Sequence, residues 1–440
     1  MSTLFVNAHV VTMEDDGAEH PGGWIQVDDG LVAAAGSGDR PNADAVVDLG
    51  GAVVTPGLVN THHHLWQNLT RARAQDENLF GWLQALYPVW AAIDEESEYA
   101  AARAGLAELA LSGCTTVFDH HYLFPPGRKG LLEAEIRAAR ELGMRIVASR
   151  GSMDLGESDG GLPPDSIVEE RDDVLAATEE AVKLADGAQV EIAVAPCSPF
   201  SVTKELMRES AELARRHGLR LHTHLAETVE EAEFAQEKFG CTPVEYVEEL
   251  GWLAEDVWCA HCVHLSAADV AKFGRQDVGV AHCPSSNMRL GAGMAPVREL
   301  LDAGARVGLG VDGSASNERG DLFLEVKQAL LVARARGGPK ALTAREALRL
   351  GTRGSAAVLG RDDIGRLSPG KRADYAVWRT DGLELGGASD PVAGLVFAGP
   401  HRVDRLYVAG EEVVRDGRLV RGDEDEIARE QRRQAERFAA

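Results

Sequence analysis

The middle of this chain alternates short apolar segments with amphipathic ones, and this alternation restricts the possible folds more than any other feature of the sequence. Such a pattern is typical of parallel β-strands covered by helices. Eight apolar segments qualify as strands, the number that closes a barrel: residues 53–61, 115–119, 145–150, 190–196, 219–224, 257–261, 278–283 and 307–312. An open doubly wound sheet is disfavoured, because no glycine-rich phosphate loop follows the first strand.

The two ends of the chain are rich in short strands and turns instead. Asp29-Gly30 separates two apolar runs near the amino terminus, and Asp416-Gly417 follows another near the carboxyl terminus, as in β-hairpins. We therefore predict a (β/α)8 TIM barrel over residues 57–363. We also predict a small composite β-sandwich domain built from residues 1–56 together with 364–440. Residues 425–438 predict a surface helix, acidic at its start and basic later.

The composition excludes several classes of protein. With 440 residues, 45% hydrophobic and 26% charged, the chain is typical of a folded globular protein. A formal net charge of −25 argues against a nucleic-acid partner, because such a surface repels phosphates. No apolar run is long enough to cross a membrane, and the six scattered cysteines are typical of reduced core residues. We expect a cytoplasmic location, while the formation of homo-oligomers stays open.

Polar residues end most of the predicted strands, and in a barrel these ends meet at one mouth. His62 and His64 lie two residues apart, so on an extended backbone they point to the same side. With His224 and Asp312 they offer three imidazoles and a carboxylate, which suit a divalent ion such as Zn²⁺ and leave one position for water. A surface histidine cluster is the alternative, although it is unusual after so apolar a strand.

Other polar residues near the predicted mouth are candidates for different roles. Glu227 follows His224 by three residues, so it leaves the strand and can reach over the metal without binding it. Gln67 and Arg150 are candidates to bind the substrate, since an amide or a guanidinium can read ring carbonyls and N–H groups. We expect His222 to support a metal ligand rather than to contact the substrate. The sequence leaves the roles of three further histidines open: His120, His121 and His282.

Several motifs together resemble the amidohydrolase superfamily, in its branch of aromatic-ring deaminases and triazine hydrolases. They are residues 56–64, 224–228, 260–264, 311–317 and 364–374. The resemblance implies that His62, His64, His224 and Asp312 bind the metal. It also implies that Glu227 transfers protons and that His261 polarises or orients the group under attack. No lysine follows the fourth predicted strand, where binuclear members carry a carboxylated one, so we expect one divalent ion, zinc.

The same resemblance ranks the substrates. Residues 62–72, 79–83, 150–153 and 160–166 look most like those of enzymes that deaminate 8-oxoguanine to urate. Isoxanthopterin, guanine and hydroxyatrazine-type triazines are the alternatives that stay open. Glu227 argues against a triazine chlorohydrolase, since such members of the branch can lack this acid. A barrel that binds a partner without catalysis is a more remote alternative, because every expected metal ligand is present.

Overall fold

The computed structural model describes residues 1–399 and 402–439 of the chain. Its strands are, in chain order, β1 (Thr3–Val11), β2 (Glu19–Asp28), β3 (Leu31–Gly36), β4 (Ala45–Asp48), β5 (Val53–Pro56), β6 (Leu58–Asn60), β7 (Cys114–Asp119), β8 (Arg145–Ser152), β9 (Val190–Pro196), β10 (Arg220–Leu225), β11 (Val257–His261), β12 (Gly279–His282), β13 (Arg306–Leu309), β14 (Tyr375–Trp378), β15 (Arg405–Val408), β16 (Glu411–Arg415) and β17 (Arg418–Leu419). Its α-helices are α1 (Leu79–Trp90), α2 (Glu95–Leu111), α3 (Leu131–Leu142), α4 (Arg171–Ala181), α5 (Lys204–His217), α6 (Val229–Phe239), α7 (Pro243–Glu249), α8 (Ala267–Arg275), α9 (Pro284–Arg289), α10 (Val297–Asp302), α11 (Leu322–Gly337), α12 (Ala344–Arg349), α13 (Ser355–Val358), α14 (Pro391–Ala398) and α15 (Glu424–Glu436). None of these helices combines the length and the apolar character that a membrane crossing requires.

Eight strands within the described residues, β6 to β13, close into a parallel barrel, which confirms the predicted fold class. Each strand pairs with its neighbour in chain order, and the barrel closes where Leu309 of β13 pairs with Asn60 of β6. Helices cover the outer face, which explains why the strands are almost continuously apolar. Inside the barrel, the rings of Phe118 and Trp258 pack edge to face with their centroids 4.7 Å apart. The carboxyl ends of the strands therefore open on one side, above a packed interior.

Strands from both ends of the chain form a second sheet, as predicted. The order is β3-β2-β1-β5-β14-β15-β16-β17, with β4 beside β1. A buried ion pair between Arg145, at the start of β8, and Asp374, just before β14, joins this sheet to the barrel. The exact limits of the two domains, residues 1–56 with 364–440 and residues 57–363, stay a prediction.

The prediction of one continuous strand over residues 53–61 was wrong. The structure divides this segment: β5 pairs with β14 in the terminal sheet, whereas β6 is part of the barrel. Gly57 lies at the crossing, where its N–H donates to the Asp374 carbonyl at 2.9 Å. A Cβ at this position would lie 2.3 Å from Thr115 Cγ2, so the crossing requires glycine. One continuous apolar run can thus contribute strands to two different sheets.

Sequence signals at the helix ends agree with the structure. Ser266 and Thr343 each form a reciprocal capping box, as the acidic residue three positions after each of them indicates. Gly218 ends α5 with φ 65°, as expected for a glycine after the last turn. The predicted terminal helix is α15, which begins one residue earlier than residue 425 because Asp423 caps it.

Candidate metal centre and active site

Four side chains meet at the carboxyl end of the barrel: His62 and His64 after β6, His224 on β10, and Asp312 after β13. Nε2 of His64 lies 3.2 Å from Nε2 of His224. Oδ1 of Asp312 lies 3.4 Å from Nε2 of His62 and 3.3 Å from Nε2 of His64. A tetrahedral ion about 2.0–2.1 Å from each ligand separates its ligands by about 3.3–3.4 Å. The observed spacings therefore fit one small divalent ion.

A chain of two hydrogen bonds determines which ring nitrogen of His62 carries the hydrogen. His222 Nδ1 lies 3.0 Å from the carbonyl of Trp258, so this nitrogen carries the hydrogen. Nε2 of His222 is then an acceptor, and it lies 3.0 Å from Nδ1 of His62. His62 must therefore donate from Nδ1, which leaves a lone pair on Nε2, a buried atom without a hydrogen-bond partner in the described residues. The expected supporting role of His222 is consistent with this geometry.

The other two histidines are oriented by backbone carbonyls. His64 donates from Nδ1 to the carbonyl of His120 at 2.8 Å, and His224 donates from Nδ1 to the carbonyl of Cys197 at 2.7 Å. Both rings thus direct the lone pair of Nε2 toward the centre. Burial lowers the pKa of both imidazoles well below the usual range, which keeps them neutral and able to bind a metal. The residues present fit a zinc ion.

Asp312 completes the set as an ionised carboxylate. Burial tends to raise its pKa, but the adjacent imidazoles of His62, His261 and His64 outweigh this effect and hold the pKa well below its usual range. The backbone of Asp312 has φ 65°, and those of His261 and Ala226 have φ 70° and 52°. Such left-handed conformations cost about 1–3 kcal/mol for residues with a Cβ and concentrate at functional sites.

Glu227 lies beside the metal ligands in the turn between β10 and α6. Glu231 fixes this turn, because its carboxylate accepts the N–H groups of Ala226 at 2.9 Å and of Glu227 at 2.8 Å. The side chain of Glu227 is buried, and burial raises its pKa to about 7. At neutral pH, Glu227 can therefore both give and take a proton.

His261, at the end of β11, connects Glu227 and Asp312. Its Nε2 lies 3.5 Å from Glu227 Oε2 and 3.9 Å from Asp312 Oδ2, and its Nδ1 donates to Asn287 Oδ1 at 2.9 Å. Burial tends to lower the pKa of His261, but the carboxylates of Glu227 and Asp312 outweigh burial, so the pKa is raised. A ring between two carboxylates and an amide oxygen is a hydrogen-bond donor at both nitrogens.

A pocket opens directly above these groups. Gln67 lies in its wall, against Gly313, where a Cβ would come 1.9 Å from Gln67 Oε1. This oxygen is buried and has no hydrogen-bond partner among the described residues. The remaining lining residues include Leu79, Trp82, Leu83, Tyr87, Tyr122, Phe200, Leu290 and Ser316. The pocket thus combines apolar and aromatic walls with a few polar groups, as small-molecule sites do.

Arg150, the other residue predicted to bind the substrate, does not line this pocket. Its guanidinium pairs with Glu169 at 2.6 Å and lies over the ring of Phe124, 3.7 Å from the ring centroid. The sequence placed Arg150 at a strand end, but β8 continues to Ser152. Arg150 therefore lies within the strand and supports the loops beside it.

Some lining residues were missed by the sequence reasoning. Tyr122 follows the polar end of β7 and could have been found by extending the search past His120. Phe200 and Leu290 lie in connecting segments without any polar pattern, so no signal identified them. Among the tryptophans of residues 66–90, Trp82 lines the pocket, whereas Trp66 and Trp90 are core residues.

The sequence profile of the amidohydrolase family matches residues 53–413. The chain belongs to the amidohydrolase family. This match extends from β5 to β16 and includes every residue of the site described above.

Individual relatives agree with this assignment. The chain is 47% identical to an 8-oxoguanine deaminase from Pseudomonas aeruginosa over 425 residues, 95% of each protein. It is 38% identical to an isoxanthopterin deaminase from an unknown prokaryotic organism, covering 98% of this chain and 96% of the relative. An atrazine chlorohydrolase from Arthrobacter aurescens TC1, solved in complex with zinc, superposes with a TM-score of 0.94 at 34% identity, covering 98% of this chain and 100% of that one. The expected family and fold are thereby confirmed.

Proposed function

We propose that this amidohydrolase releases ammonia from 8-oxoguanine and leaves urate. The observation that carries the proposal is the convergence of a metal-ligand set, a carboxyl group with a pKa of about 7 and a free amide oxygen on one pocket. The similarity to an 8-oxoguanine deaminase along 95% of both chains supports the substrate. The thiols of the described cysteines are all unpaired, which supports a cytoplasmic location.

His62, His64, His224 and Asp312 would hold a divalent ion, which would supply an activated water by lowering the pKa of water to roughly 7. The reaction adds the oxygen of one water to the ring carbon that bears the amino group. The ionised carboxylate of Asp312 is placed to accept the proton that the water loses.

Proton transfer to the ring and to the leaving group follows from the position of Glu227. Its acid form donates to the ring nitrogen next to the carbon under attack, and its carboxylate form then relays a proton toward the departing amine. His261, held by Asn287, donates from Nε2 and orients the same part of the substrate. One water is consumed, one ammonia is released, and a ring carbonyl replaces the amino group.

Substrate recognition rests on the walls of the pocket. Gln67 Oε1 can accept a hydrogen bond from an N–H or amino group of the heterocycle, and Trp82 and Tyr122 offer flat apolar surfaces. A site with unpaired buried polar atoms discriminates strongly between substrates, because an analogue that lacks the matching group leaves those atoms unsatisfied.

The test is a comparison of ammonia release from 8-oxoguanine and guanine, which share the reacting amino group and differ at C8. We expect kcat/KM for 8-oxoguanine to exceed that for guanine by at least about 100-fold. Isoxanthopterin and a hydroxylated aminotriazine belong in the same assay. Equal rates on the two purines, or a higher rate on isoxanthopterin, would contradict the proposed substrate and leave the deaminase reaction in place.

A further inference from the structure

A second cluster of buried polar groups lies behind the pocket, between the barrel and its helices. It consists of Glu98 on α2, Asp119 at the end of β7, His121 after β7, and Glu135 on α3, and each of them is 0% exposed. His121 Nδ1 lies 3.8 Å from Glu98 Oε1, 3.9 Å from Asp119 Oδ2 and 3.8 Å from Glu135 Oε2. None of these groups takes part in the proposed reaction.

The tautomer of His121 shows what the cluster lacks. Its Nε2 lies 3.1 Å from the carbonyl of Leu123, so this nitrogen carries the hydrogen and Nδ1 presents a lone pair to the three carboxyl groups. Both oxygens of Glu98, both oxygens of Glu135 and Oδ2 of Asp119 are likewise buried without a hydrogen-bond donor in the described residues. Six buried polar atoms therefore face one another, and no N–H group and no alcohol or phenol hydroxyl of the described residues donates to them.

The guanidinium of Arg150 cannot supply the missing positive charge. It is engaged by Glu169 through two hydrogen bonds, at 2.6 and 3.1 Å. A proton on one of the carboxyl groups does not satisfy His121 Nδ1 either. A donor must lie about 2.5–3.0 Å from its acceptor, whereas the three carboxyl oxygens lie 3.8–3.9 Å from this nitrogen.

The same distances suit ligands of a common ion. Two ligands that each bind one zinc ion at about 2.0–2.2 Å lie about 3.3–4.4 Å apart, and the 3.8–3.9 Å between His121 Nδ1 and the carboxylate oxygens falls in this range. The ligand atoms of Glu98, His121 and Glu135 all lie within 4.8 Å of one another. We propose that Glu98, His121 and Glu135, with Asp119 beside them, form a second divalent-cation site that takes Zn²⁺ or Mn²⁺. One imidazole with several carboxylates is a donor set that both ions accept.

This site would act on the catalytic centre without contacting the substrate. Oδ1 of Asp119 accepts the N–H of Leu65 at 2.7 Å, and the carbonyl of His120 accepts the hydrogen of His64 Nδ1 at 2.8 Å. The second ion therefore holds the end of β7 that orients a ligand of the first. It is a separate site, because Glu98 and Glu135 come from helices outside the barrel.

Metal analysis of variants tests this proposal independently of the substrate. Protein dialysed against Zn²⁺ and then freed of loosely bound metal should retain two equivalents per chain. Glu135→Gln should retain one, and His224→Ala should also retain one, because it loses the catalytic ion instead. Glu133→Gln, an exposed position on the same helix, is the matched control and should retain two. Circular dichroism checks that each variant is folded. One equivalent in the wild type, or two in Glu135→Gln, would overturn the second site.

A second measurement uses only the wild-type enzyme, so its result does not depend on whether Glu135→Gln folds. Crystals of the wild-type enzyme grown with Zn²⁺ should show two anomalous peaks at the zinc absorption edge, one between His62 and Asp312 and one between His121 and Glu135. A peak at the first position alone would refute the proposal.

Discussion

The hydrogen bond between His222 and His62 provides the sharpest test of how the protein fixes the tautomer of a metal ligand. In His222→Phe, Nδ1 of His62 loses its acceptor within a fully buried environment. An aromatic ring fits there, because the Phe118 and Trp258 rings already lie 4.7 Å from the His222 ring. The variant therefore removes the hydrogen bond while it largely keeps the packing.

The expected loss follows from the position of the hydrogen on His62. A buried donor without a partner costs about 1–3 kcal/mol. His62 can avoid this cost only by moving its hydrogen to Nε2, which then can no longer bind the ion. At about 1.4 kcal/mol per tenfold change, the affinity for the catalytic ion should fall about 10- to 100-fold.

The assay measures the recovery of deaminase activity by metal-free enzyme in buffers of defined free Zn²⁺ concentration, so that it reports the catalytic ion alone. His222→Gln is the rescue variant, because its amide oxygen can accept from His62, and its affinity should lie near that of the wild type. The hydrogen bond to His222 does not set the tautomer of His62 if the Zn²⁺ affinity of His222→Phe lies within about twofold of that of the wild type. Equal Zn²⁺ affinities of His222→Phe and His222→Gln would contradict it as well.

Three further results are expected. Glu227→Gln should keep the catalytic metal and lose at least about 100-fold in activity, since Glu227 transfers protons without binding the ion; loss of metal from this variant would make Glu227 a ligand. The pKa of about 7 for Glu227 predicts that kcat/KM falls as pH rises through about 7, because only the acid form of Glu227 can protonate the ring nitrogen. The residual activity of Glu227→Gln should lack this decline. A wild-type kcat/KM that is constant between pH 6 and 9 would contradict the prediction. Gln67→Ala should narrow the preference for 8-oxoguanine over guanine, whereas Arg150→Ala should leave that ratio unchanged because Arg150 lies outside the pocket; the reverse result would restore Arg150 as a substrate contact.

Sequence reasoning brought the candidate metal ligands together because their positions depend on a rule about folds and not on details of packing. In a barrel the strand ends converge, so His62, His224 and Asp312 could be brought together without any knowledge of distances. The expectation that Glu227 reaches over the metal site without binding the ion followed from its distance of three residues from His224, whereas the family resemblance implied its role in proton transfer. The strand ends themselves could be wrong by two residues without changing these conclusions.

Features that depend on contacts between distant segments were not accessible in this way. The division of residues 53–61 between two sheets depends on the close approach of Thr115 to Gly57. The position of Arg150 depends on Glu169 and Phe124, which belong to loops without a regular pattern. Acidic residues on α2 and α3 were indistinguishable from solvated ones, although Glu98 and Glu135 are completely buried.

The crossing at Gly57 connects the segment that carries His62 and His64 to the terminal sheet. His62 lies only six residues after Pro56, whose strand is held by hydrogen bonds to β14. When β14 separates from β5, the segment that carries His62 and His64 loses one of its anchors and is held by the barrel pairing of β6 alone. Local opening of this kind needs less free energy than global unfolding. We expect the ion to escape through such openings, so that truncation of the carboxyl-terminal strands shortens metal retention while the barrel stays folded.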